Sequence, residues 1–494
     1  MTEKTSGGLD LDHRFRSRLP ELSLDFRPAV PPRPELVAIN ASLAGDLGLD
    51  IDWLRSSEGV ATLAGANVTS DSTPIAMAYA GHQFGGYSPR LGDGRAVLLG
   101  ELTTTGGELV DLHLKGSGRT PFARGGDGKA SIGPMLREFL MAEAMHALGV
   151  PTARALSVVT TGEFVQRDTR EPGAVLARVA ASHLRVGTFE YAARLGPDTL
   201  LPRLIEEAID RHHREAADSD NPALALLRSV VEAQAELIAR WMLVGFVHGV
   251  MNTDNMTISG QTIDYGPCAF VEAYDPAAVF SSIDHGGRYA YGSQPSIAVW
   301  DLSRLAETLL PHIDARTDRA AALATKELES FAERYQSHFS HLLAAKLGIP
   351  RAAADVVGPL GTDLFAIMKA QASDFTSTFR ALRQAVRGDD ALANALLGEA
   401  AAKTWLPRWR EVVTDSERST VEVAAAMDAV NPLYVPRNHL VDEALRAATA
   451  GDLAPFHRLL AIVTAPYAEQ EGAERFAQPA PAAFTARFQT FCGT

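Results

Sequence analysis

Cysteine is almost absent from this sequence, which has only Cys268 and Cys492 among its 494 residues. Two cysteines exclude a disulfide-stabilised scaffold and a cysteine-rich zinc site. The 14 histidines include no H-E-x-x-H spacing, so a zinc site of that kind is not expected. No uninterrupted apolar run is long enough to span a bilayer, and the N-terminus has no apolar signal region. We therefore expect a soluble, cytoplasmic protein.

Positive charge is also in short supply, since 46 Lys and Arg residues face 60 Asp and Glu residues and the net charge is −14. Nucleic acids and anionic membranes attract basic surfaces, so neither is expected as a partner. This balance still allows a local basic pocket for phosphates. Hydrophobic residues make up 46% of the chain and charged residues 21%, which is typical of a globular protein with a substantial core.

One stretch in the middle of the chain organises the rest. Residues 237–247 have helical apolar spacing and are followed by a short polar turn. Residues 256–258 and 261–263 alternate apolar and polar side chains, which predicts a tight β-hairpin. Such a hairpin would bring Asn255 and Asp264, at its two ends, close together. An amide oxygen and a carboxylate there could share one hard cation, and Mg²⁺ prefers such oxygen ligands together with substrate phosphates.

The same stretch follows the layout of a protein-kinase catalytic loop, H-R-D-x-x-x-x-N, and the D-F-G motif after it. If Asn255 is aligned with the kinase Asn, His248 falls on the kinase His and Asp264 on the D of D-F-G. The catalytic Asp of kinases is then replaced by Val250, which cannot accept a proton. The protein is either an inactive kinase or an enzyme in which another carboxylate serves a different reaction, and the nearest candidate is Asp254.

A lysine and a glutamate precede this stretch in the kinase order. Residues 96–115 read as a β-hairpin that ends at Lys115, with Asp111 and His113 on the same face as the lysine. Residues 135–148 read as a helix that carries Glu138. In kinases a strand lysine holds phosphates and a helix glutamate orients it. Alone, a lysine at a strand end is usually a solvated side chain, but its order before Asn255 and Asp264 favours the phosphate role.

Two glycine-rich loops and two arginines complete the candidate site. Gly92-Asp93-Gly94-Arg95 and Gly126-Asp127-Gly128 could let backbone N–H groups approach a phosphate, although a single motif of this kind is usually an ordinary turn. Arg178 and Arg185 follow the last expected strand of this part, and arginine suits bidentate phosphate binding. The alternative for both is an ordinary surface arginine.

The order of these patterns predicts an α+β fold with four parts. We expect an N-terminal arm and cap over residues 1–75 and a small β-rich lobe over residues 76–190. A helical lobe with the catalytic and metal loops follows over residues 191–330, and a helical extension over residues 331–494. The two lobes would form a bilobal, protein-kinase-like fold.

The chain resembles the selenoprotein O family, called YdiU in bacteria, through motifs that occur in order along most of its length. They are Gly81-His-Gln-Phe-Gly85, Leu91-Gly-Asp-Gly-Arg95, His113-Leu-Lys-Gly116, Gly126-Asp-Gly128, Arg137-Glu138, Glu143-Ala-Met-His146, His248-Gly-Val-Met-Asn-Thr-Asp-Asn255, Asp264-Tyr-Gly-Pro267, Asp284-His-Gly-Gly-Arg-Tyr289, Gln294-Pro295, Asn431-Pro432 and Arg437-Asn438.

The resemblance implies a pseudokinase fold that works as a protein adenylyltransferase. In this family ATP lies reversed relative to kinases, and AMP passes to Ser, Thr or Tyr hydroxyls of other proteins with release of pyrophosphate. By resemblance, Asp254 is the proton acceptor, Asn255 and Asp264 bind Mg²⁺ or Mn²⁺, and Glu138 orients Lys115. The resemblance also assigns contacts with ATP to Gly92, Gly94, Arg95, Lys115, Asp127, Gly128, Arg178, Arg185 and Asp264.

The cysteines depart from the family pattern. Cys492 stands where some relatives have selenocysteine, and Cys268 lies directly after Pro267, whereas relatives can carry a cysteine slightly farther into this loop. A regulatory disulfide between the two is therefore left open, and two free thiols are favoured in a reducing cytosol.

Three functions are compatible with these residues. The first is a protein adenylyltransferase, favoured by Val250 and the family resemblance. The second is a kinase-like phosphotransferase, favoured by Lys115, Glu138, Asn255 and Asp264. The third is a non-catalytic ATP-binding regulator, again compatible with Val250.

Overall fold

The computed structural model describes residues 8–68, 73–196, 198–414 and 418–491. Its β-strands are β1 (Ser23–Asp25), β2 (Glu35–Ile39), β3 (Ile75–Met77), β4 (Gly81–Gln83), β5 (Gly86–Ser88), β6 (Ala96–Thr103), β7 (Leu109–Lys115), β8 (Arg154–Gln166), β9 (Arg170–Ala180), β10 (Phe246–Val247) and β11 (Ala269–Phe270). Within these described ranges, seven strands form one antiparallel sheet in the order β1-β3-β6-β7-β9-β8-β2. Two small two-stranded sheets, β4–β5 and β10–β11, lie apart from it.

The α-helices of the same ranges are α1 (Arg14–Arg18), α2 (Ala41–Asp46), α3 (Ile51–Arg55), α4 (Ser57–Leu63), α5 (Ile132–Ala147), α6 (Val186–Leu195), α7 (Leu200–His212), α8 (Pro222–Val244), α9 (Gln294–Ile313), α10 (Thr317–Lys346), α11 (Ala354–Gln371), α12 (Phe375–Val386), α13 (Ala391–Leu397), α14 (Glu399–Thr414), α15 (Thr420–Asp428), α16 (Asn438–Thr449), α17 (Ala454–Val463), α18 (Glu474–Ala477) and α19 (Ala482–Thr485). Short 3₁₀ helices occur at Pro20–Leu22, Arg214–Asp218 and Tyr291–Ser293.

The large sheet is buried on both faces. Leu112 and Leu114 of β7 point to one face, where they pack in a cluster with leucines of α2, α3 and α4. The opposite face is covered by α5, whose Phe139 lies in the main core with Leu176 of β9. Alternation along β7 therefore places Asp111, His113 and Lys115 on the face that looks away from the small helices. The predicted hairpin over residues 96–115 is confirmed by the antiparallel pairing of β6 with β7.

Helix α5 carries the glutamate that the sequence singles out. It begins three residues before the predicted start, because Ser131 in extended conformation precedes it and Pro134 occupies a position in the first turn, where no N–H is needed. It ends as predicted, with Gly149 in the left-handed region at φ +75°. Glu138 and Glu143 are both buried on it. Two buried carboxylates on one helix need partners: Glu143 pairs with Arg154 of β8, and Glu138 pairs with Lys115 in the site described below.

The helical half of the chain is arranged around α8. This helix packs against α9 and α10, and its long apolar faces are fully buried. The helical spacing noted for residues 237–247 belongs to the end of α8, which begins after the turn at His213 with Asn221 as its N-cap. The described residues beyond 330, where a helical extension is predicted, contain the end of α10 and helices α11 to α19.

One local prediction is corrected by the structure. The hairpin expected at residues 256–263 is reduced to a single antiparallel bridge between Met256 and Thr262. The reason is that the backbone of residues 256–258 bonds to residues 184–186, and that of Thr262 bonds to residues 151–153.

The mixed helical and antiparallel-sheet composition confirms the α+β class. The kinase-like bilobal arrangement and the four-part division stay predictions. Residues 1–7 and 69–72 of the expected arm, and Cys492 in the tail, lie outside the described residues. None of the helices that the structure describes combines the length and apolar character required to cross a membrane.

Candidate active site

A cavity of about 910 Å³ opens between β6 and β7, helix α5 and the loop that joins β10 to β11. Its size is that of a pocket for a nucleotide-sized ligand. Every site residue predicted from the sequence lines it: Gly92, Gly94, Arg95, Lys115, Asp127, Gly128, Glu138, Arg178, Arg185, Asp254, Asn255 and Asp264. Residues from six separate stretches of the chain are thus brought to one cavity.

Three cations converge on Asp264 at the inner wall of the cavity. The Lys115 ammonium lies 2.6 Å from Asp264 Oδ1, and an N–H of Arg178 donates to the same oxygen at 2.7 Å. Arg185 lies 3.8 Å from Oδ2. Lys115 also donates to Glu138 of α5, as the predicted lysine–glutamate pair requires. The cluster has three positive and two negative charges, so it is prepared to accept a further anion.

The ionisation of Asp264 is controlled by this cluster. Burial alone would raise its pKa, but Lys115, Arg178 and Arg185 together hold the pKa well below its ordinary value. The carboxylate therefore stays charged across the physiological pH range. Its backbone has a φ of +62°, in the left-handed region that aspartate tolerates better than bulky residues.

The two arginines are fixed by neighbouring groups and still have donors to spare. Arg185 is 2% exposed, stacks 4.2 Å from the ring centre of Tyr79 and donates to the backbone oxygen of Asp254 at 2.9 Å. Among the described residues, its Nη2 and the Nε of Arg178 have no hydrogen-bond partner. Buried guanidinium donors without partners are costly unless a ligand satisfies them. An anionic ligand such as a phosphate fits this requirement.

Asp254 lies in the same cavity with an environment opposite to that of Asp264. It is 9% exposed, and Gln83 Nε2 lies 3.4 Å from its Oδ2. Its Oδ1 is buried and has no hydrogen-bond partner within the ranges that the structure covers. Burial raises the pKa of Asp254 to about 6, against the opposing charge of Arg185. A carboxylate with this pKa is mostly ionised at neutral pH and is a stronger base than an ordinary aspartate.

Asn255 and Asp264 are the predicted metal ligands, and their free oxygens fit a magnesium site. The Asn255 amide donates to the backbone oxygen of Val250 at 2.9 Å, which leaves its carbonyl oxygen as an acceptor. Asp264 uses Oδ1 for Lys115 and Arg178, so Oδ2 is the less engaged oxygen. In the described parts of the chain no three His, Cys, Asp or Glu side chains are grouped for a metal. A hard cation here would thus depend on substrate oxygens as well.

His248 and Val250 occupy the positions aligned with the kinase His and catalytic Asp. The His248 ring is buried, stacks on Trp241 and contacts the backbone oxygen of Ile263 at 2.9 Å, so it ties the catalytic loop to the residue before Asp264. Val250 lines the cavity and presents no polar atom of its side chain to it. The only carboxylate that this loop offers to the cavity is Asp254.

The second glycine-rich loop has a tight backbone. Gly128 has a φ of +72°, and a Cβ atom there would lie 2.2 Å from the backbone nitrogen of Arg119, so no other residue fits. Asp127 accepts from the Lys129 N–H at 2.9 Å and pairs with Arg167. Its carboxylate is neutralised by that arginine, which makes the loop compatible with a nearby phosphate.

Several residues of the site were not found from the sequence. Thr253 donates to Glu190 at 2.6 Å, the same carboxylate contacts His82, and the backbone N–H of His82 donates to Thr253. This network joins α6 and β4 to the catalytic loop. Gln83, beside Asp254, belongs to it as well. The sequence signal for these residues was the glycine-rich motif at residues 81–85. It indicates a constrained backbone but does not identify the residues that contact it.

The end of the chain returns to the cavity. Thr490 donates to the backbone oxygen of Pro267 at 2.7 Å and bridges to Ser281. Residues 488–491 line the cavity mouth. Cys268 is buried, and burial raises the pKa of its thiol to about 11, which makes it a poor nucleophile. The pairing with Cys492 lies outside the described residues and stays open.

Comparison with known proteins identifies the family. A family model described as "Protein adenylyltransferase SelO" matches residues 8–464. A protein of Mycobacterium sp. strain KMS with the name protein nucleotidyltransferase YdiU is 56% identical over 487 residues, covering 98% of this chain and 99% of its own length. Proteins of the same name from Mycolicibacterium smegmatis and Cereibacter sphaeroides are 53% and 52% identical over 499 and 484 residues, which cover 100% and 98% of this chain and 100% and 99% of their own lengths. The chain therefore belongs to the SelO family of protein adenylyltransferases and is a nucleotidyltransferase.

Proposed function

We propose that this protein transfers AMP from ATP to Ser, Thr or Tyr hydroxyls of other proteins and releases pyrophosphate. The observation that carries the proposal is the pairing of two carboxylates in one cavity. Asp264 is held ionised by three cations, whereas Asp254 is kept basic by burial and faces the same space. Pairs of groups whose pKa values are pushed apart are the mark of separate electrostatic and acid–base roles.

The phosphates of ATP would lie against the cation cluster. Lys115, Arg178 and Arg185 supply the charge, and the partnerless Nη2 of Arg185 and Nε of Arg178 supply donors. Arg95 and the backbone of the loops at Gly92, Gly94, Asp127 and Gly128 line the same space. Glu138 has the role of a positioning residue, since it holds the Lys115 ammonium from the side of α5.

The transfer step follows from the position of Asp254. The acceptor hydroxyl oxygen forms a bond to the α-phosphorus, and the bond from that phosphorus to the bridging oxygen of the β-phosphate breaks. Pyrophosphate leaves with the bonding electron pair, and the hydroxyl proton passes to the Asp254 carboxylate. Positioning and charge neutralisation contribute most to such a reaction, and the base contributes less.

We assign the divalent metal, Mg²⁺ or Mn²⁺, to Asn255 and Asp264. When bound, it would neutralise phosphate charge and favour departure of pyrophosphate. The amide carbonyl of Asn255 and Oδ2 of Asp264, the less engaged oxygen of that carboxylate, are the chemical fit for such a cation. Asp264 then serves two purposes, because its other oxygen orders Lys115 and Arg178.

The kinase-like division into lobes is also proposed here. The cavity lies between the antiparallel sheet with α5 and the loop that leads out of α8, as a two-lobed arrangement requires. In that arrangement Val250 replaces the kinase base, which argues against γ-phosphoryl transfer by the kinase route. Phosphotransfer by a different route and ATP binding without catalysis are the two alternatives that the experiment below separates from adenylyl transfer.

The test uses ATP labelled at either the α- or the γ-phosphate, incubated with the full-length protein, Mg²⁺ and a cell lysate. Label retained on protein from the α position only is the expected result. Retention from the γ position only would instead establish a phosphotransferase. ATP binding without label on protein from either position would establish a regulator.

A further inference from the structure

Three exposed apolar side chains line the mouth of the cavity. Phe84 is 37% exposed, Ile283 is 50% exposed and Phe491 is 70% exposed, and all three belong to the cavity lining. Scattered exposed apolar residues are normal on a protein surface, but a group around one cavity marks a contact surface. These three residues are called the apolar rim below.

Phe84 is held in a conformation that phenylalanine avoids. Its φ is +52°, in the left-handed region where glycine or asparagine is preferred. Its backbone N–H is held by Asn252 Oδ1 at 3.2 Å and by the Tyr289 hydroxyl at 3.1 Å, and its ring lies 5.0 Å from the Tyr289 ring. Strained residues of this kind cluster at ligand-binding positions. Gly85 and Gly86 follow directly, so the chain places phenylalanine where glycine would fold more easily.

The other two rim residues are joined to Phe84 by a continuous network. Asp284 accepts from the backbone N–H of Tyr289 at 2.8 Å, which fixes the loop that carries Ile283. The Ser282 N–H donates to the backbone oxygen of Thr490 at 2.9 Å, which places the tail with Phe491 alongside. The rim is therefore one ordered surface, made by three parts of the chain.

The position of the rim relative to Asp254 indicates its ligand. Gln83, the residue before Phe84, is 3.4 Å from the Asp254 carboxylate, so Phe84 borders the place where an acceptor hydroxyl must lie. Arg185 of the cation cluster donates to the backbone oxygen of Asp254 at 2.9 Å, so phosphates bound at that cluster would lie beside the same residue. A hydroxyl that reaches Asp254 brings its own polypeptide segment across the rim.

We propose that the apolar rim binds the acceptor protein, with Phe84 packing against a bulky apolar side chain within about two residues of the modified hydroxyl; an extended chain rises about 3.3 Å per residue, which limits the reach to that distance. The proposal rests on the proposed adenylyl transfer. It makes Phe84 a specificity-determining residue and predicts selection among exposed Ser, Thr and Tyr residues by their neighbours.

The first test needs no variant. The wild-type protein is incubated with ATP labelled at the α-phosphate and a peptide library with one Ser, Thr or Tyr and randomised flanking positions. Enrichment of Leu, Ile, Met, Phe, Tyr or Trp next to the labelled hydroxyl is expected. Labelling without any preference at these positions would overturn the rim proposal but leave adenylyl transfer intact. Absence of α-label on every peptide and on every protein of a lysate would contradict the proposed function itself.

The second test uses Phe84→Asn and Phe84→Gly, both of which suit the left-handed backbone. We expect each to keep or raise the melting temperature and to lower kcat/KM for the enriched peptides about tenfold, which corresponds to the loss of one packed side chain at a binding surface. The apolar preference in the library should also disappear. Phe164→Ala is the matched control, because Phe164 is 57% exposed on β8 and does not line the cavity.

The adenine base of ATP is the competing ligand for Phe84. Measuring the Kd for ATP of the Phe84→Gly variant and of the wild type distinguishes the adenine base from the acceptor protein as the ligand of Phe84. An unchanged Kd for ATP with a reduced kcat/KM for peptide supports the acceptor. A Kd for ATP raised about tenfold, with peptide preference retained, would assign the rim to the nucleotide and overturn the proposal.

Discussion

Gly81 leaves the space in which the Asp254 carboxylate lies. A Cβ atom at position 81 would be 2.6 Å from Oδ1 of Asp254 and 3.0 Å from its Cβ. Contacts of that length do not occur between carbon and a side-chain oxygen, so the side chain would have to move. Glycine at this position therefore leaves room for the candidate base. The effect of this close approach on catalysis can be measured with Gly81→Ala, which adds one methyl group.

Gly81→Ala is expected to displace the Asp254 carboxylate and to lower the rate of transfer about 10- to 100-fold, because small displacements of a reacting group have effects of this size. The affinity for ATP should change less than twofold, since the phosphate-binding cations are not touched. Transfer of α-label and direct ATP binding are the two measurements. Gly106→Ala is the control, because a Cβ there would meet only Thr104 Oγ1, at 3.6 Å. Equal activity of the two variants would contradict the role given to Asp254.

Asp254→Asn is expected to lower transfer about 100-fold and yet to stabilise the fold. Its raised pKa means that the ionised carboxyl is disfavoured in the folded state, at a cost on the order of 3 kcal/mol at neutral pH. That cost develops as the pH rises from about 4, where the unfolded chain ionises, to about 6. The variant should therefore match wild type below this window and exceed it in free energy of unfolding above it. A lower stability than wild type at neutral pH would show that the carboxylate is satisfied rather than strained.

The pH dependence of transfer should report the same group. A base with a pKa of about 6 is protonated below that pH, so the rate should fall about tenfold per unit on the acidic side and level off above. Single-turnover transfer of α-label is the measurement, because it is independent of product release. Loss of this acidic limb in Asp254→Asn would assign it to that residue. An acidic limb with an unchanged midpoint in the variant would assign it to another group.

Asp264→Ala is expected to abolish transfer and, unlike Asp254→Asn, to destabilise the protein by about 3 kcal/mol. The reason is that Lys115 and Arg178, both largely buried, lose the carboxylate that neutralises them. Asp363→Ala is the control, since Asp363 pairs with Arg408 at an exposed position. Activity close to wild type at ordinary Mg²⁺ concentrations would refute the proposed metal site.

A buried arginine of the helical extension pairs with a carboxylate in the segment that follows β11. Arg437 is 1% exposed and lies 2.7 Å from both Glu272, after β11, and Asp374, before α12. Arg437→Met removes the cation that pairs with both buried carboxylates and should lower the free energy of unfolding by about 3 to 5 kcal/mol. Arg408→Met, at the exposed pair with Asp363, should lower it by less than about 1 kcal/mol. Chemical denaturation of both variants measures whether the buried Arg437 network contributes more to the free energy of unfolding than the exposed pair does.

Local sequence patterns were sufficient to predict the strand that carries Lys115 and the helix that carries Glu138. Alternation placed Lys115 at the end of a strand, and the Pro134 and Gly149 signals placed Glu138 on a helix. Strand alternation and helix-end signals depend on residues close together in the chain, so both can be recognised without knowledge of the tertiary structure. The hairpin expected after Asn255 shrinks to one bridge because its residues bond to segments distant in sequence, at residues 151–153 and 184–186.

The sequence by itself determined which chemical groups the protein owns: the carboxylates at 254 and 264, the amide at 255, the cations at 115, 178 and 185, and the valine that removes the kinase base. Only the tertiary structure decided how those groups change one another's pKa and which of them pair. Burial sets the pKa of Asp254 and three cations set that of Asp264, and neither effect is local in sequence. The tail and the Phe84 loop meet at the cavity for the same reason: contacts between residues hundreds of positions apart are fixed by packing and desolvation, which no short pattern contains.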